Sequence, residues 1–238
     1  MKTDLLAFGA HPDDVELSCG GTLMVEIAKG KSCGIVDLTR GELGTRGTAE
    51  TRAKESEVAS KILGVSLREN LGMADGFFQN DKEHQLEIIR VLRRFQPDVV
   101  LANAQDDRHP DHPRAASLIA DSCFLSGLKK VSTIDNGVVQ QAWRPRLLLH
   151  YIQDNNSTPD FVVDISSFAE KKLGAIKAYS SQFYNPESNE SETYIAQKNF
   201  LDSLMARCQR WGRYIGVDYA EGFTSSKILG VKSVSELL

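Results

Sequence analysis

Two short segments of this sequence concentrate the side chains that bind metals and move protons: Ala10-His11-Pro12-Asp13-Asp14 and His109-Pro110-Asp111-His112. The chain has five histidines, and three of them, His11, His109 and His112, fall in these two segments. Two imidazoles and a carboxylate, taken as His11, His112 and Asp14, make a ligand set that zinc accepts while keeping a fourth position open for water. Asp13 and His109 are left over, each beside a proposed ligand, where they would flank a metal-held water as base and acid. A single His-Pro-Asp is ordinary turn chemistry, because Pro fixes φ and Asp bonds neighbouring backbone. Two such clusters in a chain with so few histidines point to a metal site instead.

The elements around them alternate. Residues 4–10 form a short apolar run ending near Gly9, and Gly20-Gly21 opens a helical pattern carrying Leu23, Ile27 and Ala28 on one face. Residues 33–39 read as a second strand. Residues 48–63 read as an amphipathic helix closed by Gly64, and 65–70 as a weaker strand. Residues 81–95 place Leu86, Ile89, Leu92 and Phe95 at helical spacing before Pro97, and 98–104 read as a buried strand. A helix begins at Asp111, strands follow at 146–152 and 161–165, and helices at 167–179 and 190–210 complete the chain. This βαβ alternation predicts an α/β fold: one Rossmann-like domain over residues 1–238, with a mostly parallel sheet and helices on both faces. In such sheets ligands bind beyond the carboxyl ends of the strands. Both clusters directly follow strands, so they meet at one cleft if the strands at 4–10 and 98–104 are neighbours.

Composition narrows the class. Hydrophobic residues at 41% and charged residues at 25% are those of a water-soluble globular protein, and a net charge of −4 leaves no footprint for nucleic acid. No run approaches the ~18 apolar residues of a membrane span, so a cytoplasmic protein without a membrane partner is expected. Cys19, Cys33, Cys123 and Cys208 contain no Cys-x-x-Cys pair and read as free buried thiols. A dinucleotide site is excluded by glycine spacing, because Gly9 and Gly20-Gly21 do not crowd into one turn and acidic side chains fill the loop between them.

The two motifs resemble those of the PIG-L/LmbE-like zinc-dependent N-deacetylases. The likeness extends to Asp37-Leu38-Thr39-Arg40-Gly41-Glu42, Asn70-Leu71, Ser181-Gln182-Phe183 and Tyr219-Ala220-Glu221-Gly222-Phe223, which spreads it over nearly the whole chain. These extras look most like the branch that deacetylates N-acetylglucosaminyl-malate in bacillithiol biosynthesis. The resemblance implies Zn²⁺ on His11, Asp14 and His112, with Asp13 as general base. It makes His109 the group that stabilises the oxyanion or protonates the leaving amine, and Asp111 the group that orients His109. It also implies Arg52 and Asp75 around the sugar hydroxyls, and Tyr194 as a mobile cover for the carbonyl oxygen. A small N-acetyl sugar conjugate as substrate and a homo-oligomer, trimer or hexamer, follow from the same likeness.

Two other readings use the same residues. Two histidines and a carboxylate also serve iron(II) oxygenases, although those sites usually draw His-x-Asp from a β-rich barrel, whereas His11 and Asp14 are spaced His-x-x-Asp in an α/β pattern. A binding module without turnover would have no use for both Asp13 and His109. Deacetylation of a different N-acetyl sugar conjugate stays open, because the loops at 40–50 and 184–192 carry no readable code for the aglycone.

Overall fold

The first half of the chain alternates strand and helix: β1 (Leu5–Gly9), α1 (Asp14–Ala28), β2 (Cys33–Thr39), α2 (Ala49–Leu63), β3 (Leu67–Met73), α3 (Lys82–Phe95), β4 (Val99–Ala102) and α4 (Asp111–Ser126). A small hairpin follows, β5 (Ile134–Asp135) with β6 (Val138–Val139). After it come β7 (Leu147–Tyr151), β8 (Phe161–Asp164), α5 (Ala169–Lys177), α6 (Phe200–Tyr214) and β9 (Ala220–Thr224). The computed structural model describes residues 2–237. Seven strands form one sheet in the order β3-β2-β1-β4-β7-β9-β8. The first five are mutually parallel, and β9 runs antiparallel to both β7 and β8. Among the described residues no helix is long and apolar enough to cross a membrane.

β1 and β2 are buried along their whole length, as continuous apolar runs in a sheet covered on both faces require. Successive side chains of a strand face opposite ways, so β1 divides its residues between two cores. Leu6 and Phe8 pack with Ile88, Val91 and Leu92 of α3 and with Leu118 and Ile119 of α4. Leu5 and Ala7 pack on the other face with Val15, Cys19 and Leu23 of α1 and with Ala175 of α5. Thr48 and Asp81 cap the next two helices through the amides of Thr51 and His84. Gly64, at φ 79°, ends α2 in the left-handed conformation that glycine adopts without a Cβ clash.

Several boundaries differ from the sequence reading. Helix α1 starts at Asp14, so Gly20-Gly21 lies in its interior. A Cβ on Gly21 would come within 2.9 Å of the Ile165 side chain, and one on Gly20 within 3.2 Å of Leu63, so the glycines serve close packing. The helix expected over 190–210 begins at Phe200. The polar stretch before it makes only a single turn, Tyr194–Ala196, because buried positions at helical spacing start with Leu204, Cys208 and Trp211. Strand β3 ends three residues later than expected, at a half-buried sheet edge where the hydrophobic signal is weak. β9 and the β5–β6 hairpin had no assignment in the sequence. All four cysteines are free and buried.

Candidate metal centre and active-site cleft

β1 and β4 are hydrogen-bonded neighbours, with Leu5 opposite Val99 and Ala7 opposite Leu101. The loops leaving their carboxyl ends therefore meet, and His11, Asp13, Asp14, His109 and His112 line one cleft of about 650 Å³. Ring nitrogens of His11, His109 and His112 all lie within 4.8 Å of one another, and donor atoms of His11, Asp75 and Asp111 form a second such group. The Asp14 carboxylate reaches two of these histidines, with Oδ2 3.6 Å from His11 Nδ1 and Oδ1 3.2 Å from His112 Nε2.

The opposite nitrogen of each of these histidines faces other carboxylates. His112 Nδ1 lies 2.7 Å from Asp107 Oδ1. His11 Nε2 lies 3.1 Å from Asp75 Oδ1 and 3.3 Å from Asp111 Oδ2. A carboxylate behind an imidazole is the arrangement that orients histidine toward a metal. Asp14 is itself fixed by the His11 amide, by Asn103 Nδ2 at 3.0 Å and by Gln153 Nε2 at 3.2 Å.

Asp13 occupies a strained backbone position at φ 114°, which the loop imposes to turn the chain into α1. Its carboxylate accepts from Arg52 Nη2 at 2.9 Å. Burial pushes the Asp13 carboxyl up to about 7, against the opposing pull of Arg52 and with Asp14 adding to the rise. For Asp14, burial is overcome by His112 and His11, which hold it well below the usual range. Burial would lower His112, but Asp14 and Asp107 raise it to about 9. Burial likewise opposes protonation of His11, and hydrogen bonds from its ring to Asp111, Asp14 and Asp75 outweigh it.

His109 behaves differently. Burial lowers its pKa, and the positive charge of His11 and His112 pushes the same way. Its Nδ1 accepts the Asp111 backbone N–H at 3.3 Å. The Asp111 carboxylate is turned away, toward His11 Nε2, the Gly76 amide and Arg114. The expectation that this carboxylate orients His109 is thus corrected: the contact is made by the backbone, and Asp111 serves His11.

Arg52 is 6% exposed, which excludes a solvated helix face, and it lines the cleft with its guanidinium turned to Asp13 and the Gly41 carbonyl. Asp75 also lines the cleft, bonded to His11 and the Leu43 amide. Tyr194, 45% exposed, stands at the cleft wall, where its hydroxyl donates to Asp154 at 3.0 Å and Arg108 stacks over its ring at 4.3 Å. The sequence reading missed Asp107, Asn103 and Gln153. Asn103 and Gln153 follow the ends of β4 and β7, so the rule that placed the motifs beyond strand ends also marks them.

The profile of a family described as GlcNAc-PI de-N-acetylase, PIG-L, matches residues 6–123. The conserved protein TT1542 of Thermus thermophilus has a solved structure that superposes with a TM-score of 0.86 at 40% identity, covering 97% of this chain and 98% of that one. A diacetylchitobiose deacetylase of Thermococcus kodakarensis is 27% identical over 92% of this chain and 81% of its own length. A probable N-acetyl-alpha-D-glucosaminyl L-malate deacetylase of Bacillus anthracis is 24% identical over 73% of this chain and 78% of its own.

Proposed function

We propose, from the premise that this chain belongs to the PIG-L family of deacetylases, that it is a zinc-dependent hydrolase releasing acetate from an N-acetylglucosamine conjugate. The observation that carries this reading is the Asp14 carboxylate set between His11 Nδ1 and His112 Nε2, with Asp13 and His109 lining the same cleft. The donor set fits zinc, because each histidine is backed by a carboxylate on its far nitrogen and its near nitrogen is turned to Asp14. When bound by His11, Asp14 and His112, zinc supplies Lewis acidity toward the amide carbonyl and activates water near neutral pH.

The chain's own groups perform the remaining steps. Asp13, held by Arg52, accepts a proton from the attacking water as its oxygen bonds to the carbonyl carbon. With Nδ1 taken by the Asp111 amide, neutral His109 carries its proton on Nε2, and that N–H donates a hydrogen bond to the developing oxyanion. The C–N bond then breaks, and the Asp13 carboxyl returns the proton to the leaving nitrogen, giving acetate and a free amine. We assign N-acetylglucosaminyl-malate as the conjugate on the likeness to the B. anthracis relative. A disaccharide is the second reading, favoured by the longer match to the T. kodakarensis enzyme.

The test is release of primary amine and acetate by zinc-loaded protein from N-acetylglucosaminyl-malate, diacetylchitobiose and methyl N-acetylglucosaminide. Release from at least one is expected, and no release from any of them refutes deacetylation. Elemental analysis should find one zinc per chain in wild type and loss of it in His11→Ala and His112→Ala, each of which leaves two protein ligands. Full occupancy in either variant, or iron with oxygen consumption, overturns the zinc assignment.

A further inference from the structure

Arg207 on α6 and Arg46 in the loop before α2 stand in the wall of the cleft that His11, Asp14 and His112 also line. Arg207 Nε is buried with no hydrogen-bond partner, and no hydrogen bond or ion pair ties its guanidinium to any described residue. Its guanidinium lies over Trp211, with Cζ 5.3 Å from the ring centroid. Arg46 is 5% exposed. Its Nε donates to the Ser181 carbonyl at 3.0 Å and lies 3.8 Å from the exposed Glu190 carboxylate, while Nη2 is buried and unpartnered.

The other two arginines of the wall are ion-paired, Arg52 with Asp13 at 2.9 Å and Arg108 with Asp154 at 3.0 Å, although Arg52 also leaves its Nε buried without a partner. Asp154 and Glu190, the carboxylates of this region, already accept other donors. Asp154 accepts from Arg108 and Tyr194, and Glu190 accepts the Gly47 amide. A guanidinium keeps its charge at any working pH, and burying it without an acceptor is unfavourable. Its flat fork matches carboxylate and phosphate oxygens two at a time.

We propose that Arg207 and Arg46 form a subsite for an anionic group, a carboxylate or a phosphate, carried by the aglycone of the substrate. This rests on the deacetylase reading and sharpens it: the preferred conjugate is charged at the end remote from the amide, and a neutral disaccharide is the poorer substrate. Tyr194 and Phe200 add aromatic surface to the same wall.

Binding of the free-amine products tests the subsite without requiring turnover. Glucosaminides bearing a methyl, a glycolate or a phosphate aglycone are titrated calorimetrically into zinc-loaded wild type, Arg207→Gln, Arg207→Lys and Arg46→Gln. In wild type one charged ligand is expected to bind about tenfold or more tightly than the methyl glycoside, as a charge-assisted hydrogen bond implies. Comparing glycolate with phosphate identifies which anion is read. The preference should vanish in Arg207→Gln, shrink in Arg46→Gln and be partly kept in Arg207→Lys, with thermal melts checking that each variant is folded. Equal affinity for charged and neutral ligands in wild type overturns the proposal even if no variant folds, and so does a preference that survives both glutamine substitutions. An arginine-dependent preference without acetate release from any N-acetylglucosaminide would leave the subsite standing and remove the deacetylase reading. Acetate release with no charge preference would do the reverse.

Discussion

Asp107 and Asp111 do for His112 and His11 what the spelling of the motifs does not announce. Each holds the far nitrogen of an imidazole, His112 for Asp107 and His11 for Asp111, so each sets which nitrogen faces Asp14. Replacing a carboxylate behind a metal-binding histidine typically costs roughly 10–100-fold in metal affinity. Asp107→Asn is therefore expected to weaken zinc by about that factor in a chelator competition, and affinity equal to wild type would remove Asp107 from this role. Asp13→Asn should keep zinc and lose about 10²-fold or more in kcat, because an amide of the same size takes no proton from water. A metal-replete Asp13→Asn protein turning over at the wild-type rate would place the base elsewhere. The reactive residue types were legible because histidine is scarce and clustered. The residues that hold them were marked only by their place beyond strand ends, because Asn103 and Gln153 sit in no local motif and reach Asp14 through the order of the strands.

Helix α1, which carries Asp14 in its first turn, is held from within by a buried ion pair. Lys172 of α5 and Glu221 of β9 meet at 2.6 Å with side chains 0% and 1% exposed. Glu221 accepts the amides of Gly21 and Thr22, and Lys172 donates to the carbonyls of Glu16 and Leu17. Anion on helix amides and cation on helix carbonyls is the favourable polarity at a helix terminus, and here it occurs inside one. Removing one partner strands a buried charge, so Glu221→Gln or Lys172→Met is expected to lower stability by about 3–5 kcal/mol in urea unfolding. The double replacement by apolar residues should lose less than the sum of the two. A loss under about 1 kcal/mol in both single variants, the level of an exposed pair, would mean the pair does not pin the helix. The sequence reading named Glu221 only within a family likeness and left β9 unassigned. A five-residue strand containing a glycine and a glutamate shows no strand signature, because that glutamate is buried to serve another element.

At the scale of the molecule, the parallel half of the sheet was legible, because β1, β2 and β4 are apolar runs between helices with recognisable ends. The antiparallel edge was not. What joins the two halves is β7, which pairs with β4 on one side and β9 on the other and carries His150 opposite Ala102 and Thr224. His150 is 1% exposed, its Nδ1 is hydrogen-bonded to the Asn103 carbonyl at 2.8 Å, and its Nε2 is buried without a partner. Burial lowers its pKa, with the Asn103 carbonyl opposing. In the unfolded chain the imidazole titrates near about 6.5. Between that value and the lower folded one the unfolded state binds a proton that the folded state refuses. The stability His150 contributes is thus complete above about pH 6.5 and is lost as the pH falls, at up to about 1.4 kcal/mol per pH unit for one proton. The other titrating groups, including the ligand histidines, are common to wild type and His150→Gln and cancel in the comparison. Urea unfolding on either side of that value, at about pH 7.5 and about pH 5.5, should therefore show wild type losing more stability on acidification than His150→Gln, and equal losses would mean that the folded protein accommodates the proton.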